Sequence, residues 1–440
     1  MTTAYRSLSP EALRREYAEV SARFDALREL GLALNMARGK PGKAQLDAVS
    51  DILTILHDPV QCQADGMDVR NYGQLSGLPS AKKLFAELLG CRAEECFIGG
   101  SASLTLMYDT IAKAYTHGLL HSEAPWSRLN KVKWLCPAPG YDRHFKITES
   151  FGAEMITVPM TPTGPDMDLV ETLVRDPAVK GMWCVPKYSN PDGIVYSAET
   201  VRRIAALKPA APDFLLMWDN AYCVHEFEGP FVPFDDILTL CREAGNPDMV
   251  FEYASTSKIT LPGAGISVMA ASTANLAYME KLMDIQMISY DKVNQLRHVL
   301  FLQDKAHTLA LMQKHAAILR PKFRCAALPG AGDHTAGHRR VAKAHRRLFR
   351  IREHPAGAGQ TDAGAVQGGR RDHDRRGRYL PLWRRPAGQQ HPHRAFPAAG
   401  GGAGEGHGGI LRMPADGRAG TAPARVNAKS TPPGGVLFSF

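Results

Sequence analysis

Two segments place residues with chemical potential at or just after apolar, strand-like runs. Asp219 directly follows the run FLLMW in MWDNAYCVHEF, and Lys258 follows MVFEYA and a Ser/Thr-rich turn in YASTSKITLPGAG. A lysine that a partly buried site keeps neutral can attack a carbonyl carbon. An acid at the carboxyl end of a parallel strand often contacts a cofactor or metal, because ligands bind at that edge. Taken singly, Lys258 is better explained as a solvated surface residue, and Asp219 is explained equally well as a helix cap.

Three further segments carry weaker signals of the same kind. In CFIGGSASLTLMYDT, Ser101 and Ser103 precede a helical run, and free backbone N–H groups at a helix start bind phosphate. In CPAPGYDRHF, Tyr141 could stack on a planar ring. In KYSNPDGIVYS, Asn190 begins a turn after a strand. A helix cap, a core tyrosine and a plain turn explain these segments equally well when each is considered alone.

These segments need strands and helices to position them, and the chain alternates between the two. The order predicts an α/β fold with a mainly parallel sheet, and the almost wholly apolar strands predict a sheet covered on both faces. The predicted strands are 155–160, 181–186, 214–218, 249–254 and 266–271, and the predicted helices between or before them are 81–89, 103–115, 198–208 and 234–244.

The two ends of this region read as helices. Ser9-Pro10-Glu11 predicts a capped helix start, and Gly31 predicts its end. Residues 272–320 read as long helices that lead out of the α/β region. The helix after Pro10 has one apolar face, formed by Leu13, Tyr17, Val20, Phe24 and Leu27.

Bulk composition is that of an ordinary globular protein, with 44% hydrophobic and 22% charged residues among 440. No apolar run approaches the roughly 18 residues of a membrane helix, and the first residues contain no signal-peptide core. The eight cysteines are scattered without a CxxC pair, which predicts neither a disulfide framework nor a metal site. We therefore expect a cytoplasmic protein that does not associate with membranes.

The net charge of +9 is concentrated at one end of the chain. Residues 324–440 hold 18 Arg and 2 Lys against 7 acidic residues, a net of +13, which leaves −4 for residues 1–323. Such a break in composition predicts a boundary near residue 323. The tail has too few large apolar residues to bury a core, so we expect it to be disordered if it is translated as written. It lacks the folded motifs of a specific nucleic-acid binder.

Taken in order, the chemical segments resemble the fold-type I enzymes that use pyridoxal phosphate (PLP). More narrowly, the chain is similar to the aspartate aminotransferase-like group often labelled MocR-like aminotransferases. ARGKPGKAQLD (37–47), NYGQLSGLPSAKKLFAELLG (71–90) and KVNQLRH (292–298) carry the same resemblance, which covers about residues 5–323. It implies a homodimer that moves an amino group between an amino acid, aspartate or glutamate by preference, and a 2-oxo acid.

The resemblance also implies a domain organisation. Residues 1–50 would form an N-terminal helix and arm of a small domain, and residues 51–300 a large PLP-binding domain. Residues 301–323 would form a linking helix, and the tail 324–440 stands where the rest of the small domain is expected. The small domain is therefore predicted to be incomplete.

Roles for individual residues follow from the resemblance. Lys258 would hold PLP covalently and move the proton during catalysis, and Asp219 would pair with the pyridine nitrogen. Asn190 and Tyr222 would hydrogen-bond the phenolic oxygen of the ring, on which Tyr141 would stack. The phosphate would lie against the start of the helix after Ser103, with Ser101, Ala102, Ser103 and Ser255 around it and Tyr72 reaching it from the neighbouring subunit.

One part of the family's pattern is missing. Many aminotransferases carry a phosphate-binding arginine shortly after the lysine, whereas here the stretch reads ITLPGAGIS. Gly39 matches the glycine that lies beside the substrate. The basic candidates for the phosphate or the substrate carboxylates are Arg38, Lys40, Lys292 and Arg297, which the sequence does not rank, and surface charge is the alternative for each.

The C-terminal strings of the family, including its carboxylate-binding arginine, are also absent, and the genetic code suggests a reason. Codons for Arg378–Trp383 can be chosen so that dropping one base gives ATYPYG, and Gln389–Pro397 can give SNIRIAPS. Arg347–Pro355 and Phe396–Gly409 give GYFVSVNT and an amphipathic helix in the same way. We therefore predict that residues from about 324 onward are a shifted reading of the usual C-terminal domain. Resequencing the gene tests whether the shift is an error or a real mutation.

The sequence is also compatible with other functions. The chain could be an inactive or unfolded product of a damaged gene, or a lyase or decarboxylase on the same scaffold. A regulator built on this fold would need a winged helix-turn-helix domain first, and the roughly 45 residues available are too few.

Overall fold

The computed structural model describes residues 5–33 and 40–327, and the core of this described part is an eight-stranded sheet. The sheet has the order β3-β10-β9-β8-β7-β4-β5-β6, and β1 and β2 form a separate hairpin. The strands are β1 Gln63–Ala64, β2 Met67–Asp68, β3 Cys96–Gly99, β4 Lys133–Ala138, β5 Glu154–Thr161, β6 Gly164–Pro165, β7 Val179–Cys184, β8 Leu215–Asp219, β9 Val250–Ser255 and β10 Ser267–Ala271.

Helices connect most of the strands, as the alternation in the sequence predicts. Short 3-10 turns occur at Tyr5–Ser7, Ser50–Leu53, Pro59–Cys62, Ala93–Glu95, Trp126–Arg128 and Thr256–Lys258. The α-helices are α1 Pro10–Glu29, α2 Lys43–Asp47, α3 Pro79–Leu89, α4 Ser103–Thr116, α5 Asp142–Ser150, α6 Met167–Leu173, α7 Ala198–Ala205, α8 Ile237–Glu243, α9 Thr273–Gln286, α10 Lys292–Leu302 and α11 Lys305–Ala327.

The direction of the strands decides which loops meet. Strands β5, β4, β7, β8 and β9 are mutually parallel, and β10 is antiparallel to both β9 and β3. Because β3 and β9 both oppose β10, β3 points the same way as the parallel strands. The carboxyl ends of these six strands therefore share one edge of the sheet, and the predicted mainly parallel α/β fold is confirmed.

Apolar cores cover both faces of the sheet, because successive side chains along each strand point to alternate faces. On β8, Leu216 and Trp218 belong to one apolar core, and Leu215 and Met217 to the other. Successive side chains of a strand point to opposite faces, so a strand buried on both faces must be apolar throughout. Burying each such side chain contributes about 1.5–3 kcal/mol to folding.

Local signals set the helix boundaries. Ser9 caps α1 by accepting a hydrogen bond from the Ala12 N–H at 3.2 Å, and Gly31 adopts φ +60° after the helix, as predicted. Helix α8 begins three residues later than predicted, because the Asp236 carboxylate accepts hydrogen bonds from the N–H groups of Leu238 and Thr239. Asp236, which the sequence pattern placed inside the helix, is thus the N-cap residue of α8.

The apolar face of α1 is not buried by the described part of the chain. Its five apolar side chains, Leu13, Tyr17, Val20, Phe24 and Leu27, are 43–63% exposed. No helix in residues 5–33 or 40–327 is long and apolar enough to cross a membrane. Residues from 328 onward lie outside the described residues, and so do the predictions made for that part of the tail. The predicted domain boundaries at residues 50 and 300 stay predictions.

Candidate active site

Five of the predicted site segments follow strands whose carboxyl ends share the same edge of the sheet. Strand β3 leads to Ser101, β4 to Tyr141, β7 to Asn190, β8 to Asp219 and β9 to Lys258. Contacts between the segments show that they meet: the Ser257 hydroxyl donates to the Ser101 carbonyl, and the Lys258 amine lies over the Tyr222 ring. The sheet topology thus gathers residues that are far apart in the sequence.

Asp219 is the last residue of β8 and is buried. Its Oδ2 atom lies 3.0 Å from Nε2 of His144, whereas its buried Oδ1 has no hydrogen-bond partner among the described residues. A buried carboxylate oxygen without a partner is costly, so a donor is expected to complete this site. A protonated pyridine nitrogen is such a donor, and the residues present fit the ring of PLP.

His144 is a site residue that sequence reasoning missed. Its ring stacks on Trp183, with centroids 4.2 Å apart and an interplanar angle of 7°, and meets the Tyr141 ring edge-on at 5.1 Å. These contacts hold the imidazole against Asp219. The available signal was its place three residues after Tyr141, which puts the two side chains on one side of the first turn of α5.

Lys258 ends the 3-10 turn that follows β9. Its Nζ atom lies 5.0 Å from the centroid of the Tyr222 ring. Burial lowers the pKa of the Lys258 ammonium, and the negative charge of Asp219 opposes that change. A lysine with a lowered pKa supplies more of the neutral amine that attacks a carbonyl carbon.

The Tyr222 ring lies beside the Lys258 amine, and Asn190 lies near His144. Burial raises the pKa of the Tyr222 phenol, with smaller contributions from Asp219 and Tyr141, so the hydroxyl stays protonated and able to donate. Asn190 is half-buried and lines a cavity together with Tyr141 and His144. Their predicted contacts with the ring stay predictions.

The predicted phosphate cradle lies at the start of α4. Ala102 is the N-cap residue and makes no side-chain capping bond, so it leaves the first N–H groups of this 14-residue helix uncapped. Ser255 and Ser257 form a hydroxyl chain, with the Ser255 Oγ donating to Ser257 Oγ and Ser257 Oγ to the Ser101 carbonyl, both at 3.1 Å. Helix N–H groups and hydroxyls in this arrangement suit a phosphate group.

Among the described residues, no hydrogen bond or ion pair connects the predicted basic residues to this phosphate cradle. Arg38 and Gly39 lie outside the described residues, and Lys40 is exposed. Arg297 donates from Nη2 to Asn294 Oδ1 at 2.5 Å, and Lys292 donates to backbone carbonyls of residues 71 and 73. None of these described contacts supplies a charge partner for the phosphate.

A second cavity adjoins Lys258 and contains two histidines that the sequence reasoning did not assign. Tyr222, His225 and His315 are among its lining residues. His225 is 4% exposed, and neither of its ring nitrogens has a hydrogen bond of normal geometry among the described residues, although the main chain of Lys258 is close. Burial, with Lys258 and Lys187 nearby, lowers its pKa from 6.5 to about 3.

Substituting His225 by leucine should make the cofactor-free chain less sensitive to acid. The unfolded chain protonates this imidazole below about pH 6.5, but the folded chain does so only near pH 3, so falling pH in that window favours unfolding. One such group costs about 1.4 kcal/mol per pH unit. Urea unfolding at several pH values measures the slope. His57→Leu, at an exposed histidine, is the control substitution, and an unchanged slope in His225→Leu would contradict the assignment.

Comparisons with known proteins identify the family of the chain. The family model described as aspartate amino-transferase matches residues 8–342. The chain is 45% identical over 307 residues to the aspartate aminotransferase of Corynebacterium glutamicum, covering 70% of this chain and 71% of that protein. It is 47% identical over 316 residues to a Mycolicibacterium smegmatis protein named as an aminotransferase, covering 71% and 72%.

The chain is also similar to solved structures of aminotransferases. The crystal structure of an aspartate transaminase from Corynebacterium glutamicum superposes with a TM-score of 0.72 at 43% identity, covering 74% of this chain and 76% of that one. The alpha-aminoadipate aminotransferase of Thermus thermophilus, solved with a phosphopyridoxyl-leucine compound, has a TM-score of 0.52 at 19% identity and covers 69% and 74%. The second likeness bears on the fold alone.

Proposed function

Because the chain belongs to the aspartate aminotransferase family of PLP-dependent fold-type I enzymes, we propose that its amino donor is aspartate or glutamate and its acceptor a 2-oxo acid. Transamination itself is common to the family. The observation that carries the site assignment is the buried Asp219 oxygen without a partner, at the strand end next to the lysine turn. The aspartate aminotransferase of Corynebacterium glutamicum, at 45% identity, supports the choice of substrate.

Each site residue has a separate role in the proposed reaction. When bound, PLP supplies an electron sink for the carbanion that forms at the substrate Cα. The Lys258 amine takes the proton from Cα and returns it, because burial keeps a fraction of the amine neutral. Asp219, oriented by His144, would hold a proton on the pyridine nitrogen of PLP. The Tyr222 hydroxyl would donate to the phenolic oxygen of PLP, and the α4 N-terminus would bind the phosphate.

The subunit arrangement is a separate part of the proposal. Tyr72 is 82% exposed in the single chain, which suits a side chain that reaches a neighbouring subunit. We infer a homodimer in which each site receives Tyr72 from the other subunit. Localisation in the cytoplasm stays a prediction.

A second candidate is an inactive product of a shifted gene. The chain has 440 residues, and about 30% of it and of each of the two relatives is unmatched. A change of reading frame would leave such unmatched parts in both proteins. The arginine expected to bind the α-carboxylate would then be absent from this chain.

One assay separates these candidates. The native chain and a version with the reading frame restored after about residue 323 are each incubated with PLP, aspartate and 2-oxoglutarate. We expect oxaloacetate and glutamate to form with the restored chain. Equal activity of the native chain would contradict the inactive-product candidate. Release of CO₂ or ammonia from aspartate without 2-oxoglutarate would favour a decarboxylase or lyase instead.

A further inference from the structure

Lys292 occupies a position that is unfavourable for a free cation. It is the first residue of α10, where the helix dipole is positive, and it is 3% exposed. Burial lowers the pKa of its ammonium, although the N-cap residue Asp291 offsets part of that change. A lysine kept there needs specific partners that compensate for lost hydration.

Those partners are backbone oxygens on both sides of one exposed tyrosine. Lys292 Nζ donates to the carbonyl of Asn71 at 2.6 Å and to that of Gly73 at 2.8 Å, and it lies 3.3 Å from Ser289 Oγ. An ammonium group has three N–H donors, so these contacts occupy all of them. Lys292 forms no ion pair with the described residues.

The same helix holds the far end of the loop. Gln295, three residues after Lys292, accepts a hydrogen bond from the Leu78 N–H through Oε1 at 2.8 Å. Gly73 and Gly77 adopt φ of +96° and +94°, values that favour glycine, so the loop between them has a defined course. Helix α10 therefore fixes the backbone of residues 71–78 while Tyr72 stays 82% exposed.

We propose that Lys292 is a positioning residue, which fixes the backbone on either side of Tyr72 so that the tyrosine can reach the PLP phosphate of the partner subunit. This role rests on the homodimer proposed above. It differs from the sequence-based hypothesis that Lys292 binds the phosphate or a substrate carboxylate itself. Direct binding would require the ammonium to give up contacts with two carbonyls that would then lack their donor.

A double-mutant cycle that measures PLP binding to the full chain tests the proposal. The dissociation constant for PLP is measured by absorbance titration for Lys292→Met, Tyr72→Phe and the double variant. Tyr72→Phe should weaken PLP binding about tenfold or more, as expected for a hydrogen bond to a charged group. When Tyr72 is present, Lys292→Met should weaken PLP binding. When Tyr72 is already replaced by phenylalanine, Lys292→Met should raise the dissociation constant for PLP by less than about twofold. Losses that multiply in the double variant would overturn the positioning role.

Two controls make the result specific. Lys82 also contacts this loop, since its Nζ atom donates a hydrogen bond to Ser76 Oγ at 2.7 Å. Lys82→Met should leave the PLP affinity unchanged. Succinate, used as a dicarboxylate probe of the loaded protein, should bind equally to the native chain and to Lys292→Met. Weaker succinate binding in both tyrosine backgrounds would favour direct carboxylate binding and overturn the proposal.

The outcomes also separate this inference from the proposed function. If Tyr72→Phe leaves PLP affinity unchanged, the intersubunit role of Tyr72 fails and the positioning role fails with it. If the native chain binds no PLP, the proposed function fails as well. If Lys292→Met does not fold, Lys292→Gln replaces it, and hydrogen exchange at residues 71–73 should still be faster than in the native chain. Unchanged exchange in a folded variant would overturn the role.

Discussion

Replacing Lys258 by alanine should abolish the visible absorbance that the native chain acquires with added PLP. It should also lower transamination by at least about 10⁴-fold, since a positioned acid-base group contributes up to that factor and the covalent attachment is lost with it. The expectation follows from a lysine at the carboxyl edge of the sheet, with a pKa lowered by burial and with Asp219 nearby. Absorbance spectra with and without PLP are the direct measurement.

The control for this experiment is a lysine on the surface. Lys208 is exposed and donates to the Ala244 carbonyl, so Lys208→Ala should keep the spectrum of the native chain. A visible band of equal intensity in Lys258→Ala would show that PLP reacts with another amine. Restoring the reading frame in both backgrounds keeps the test informative if the native chain has little activity.

Replacing Asp219 by asparagine should lower kcat by about 10²–10³-fold, the usual effect of removing one electrostatic partner in an active site. Asparagine keeps the shape of the side chain, so Nε2 of His144 can still find a partner at the Oδ2 position. It cannot, however, hold a proton on the ring nitrogen by charge. Steady-state kinetics at saturating substrate measure kcat, and the spectrum reports whether PLP is still bound.

Asp213 provides a matched control for this substitution. It is a buried aspartate whose carboxylate accepts hydrogen bonds from Lys180, Ser122 and Trp126, all outside the site. Asp213→Asn should lower the free energy of unfolding while the kcat of the folded fraction stays near the native value. An unchanged kcat in Asp219→Asn would contradict the role of Asp219.

The fold could be predicted because its signals are local. Apolar runs long enough for a strand predicted β5, β7, β8, β9 and β10, and these five strands begin and end within two residues of the predictions. The sequence reading did not predict β3 and β4 or the two-residue strands β1, β2 and β6. The end of α7 was less predictable, since the helix stops at Ala205 although the helical pattern continues to residue 208. Helix ends depend on capping and tertiary contacts as well as on pattern.

The amino-acid sequence by itself determined which groups could do the chemistry: Asp219 ends an apolar strand, and Lys258 follows another after a short turn. Only the tertiary structure decided what these and other groups contact. His144 meets Asp219 across 75 residues, and Lys292 meets the Asn71 carbonyl across 221. The physical reason is that a hydrogen-bond partner or the burial of a charge depends on which strands and helices pack together, and sheet order sets that packing.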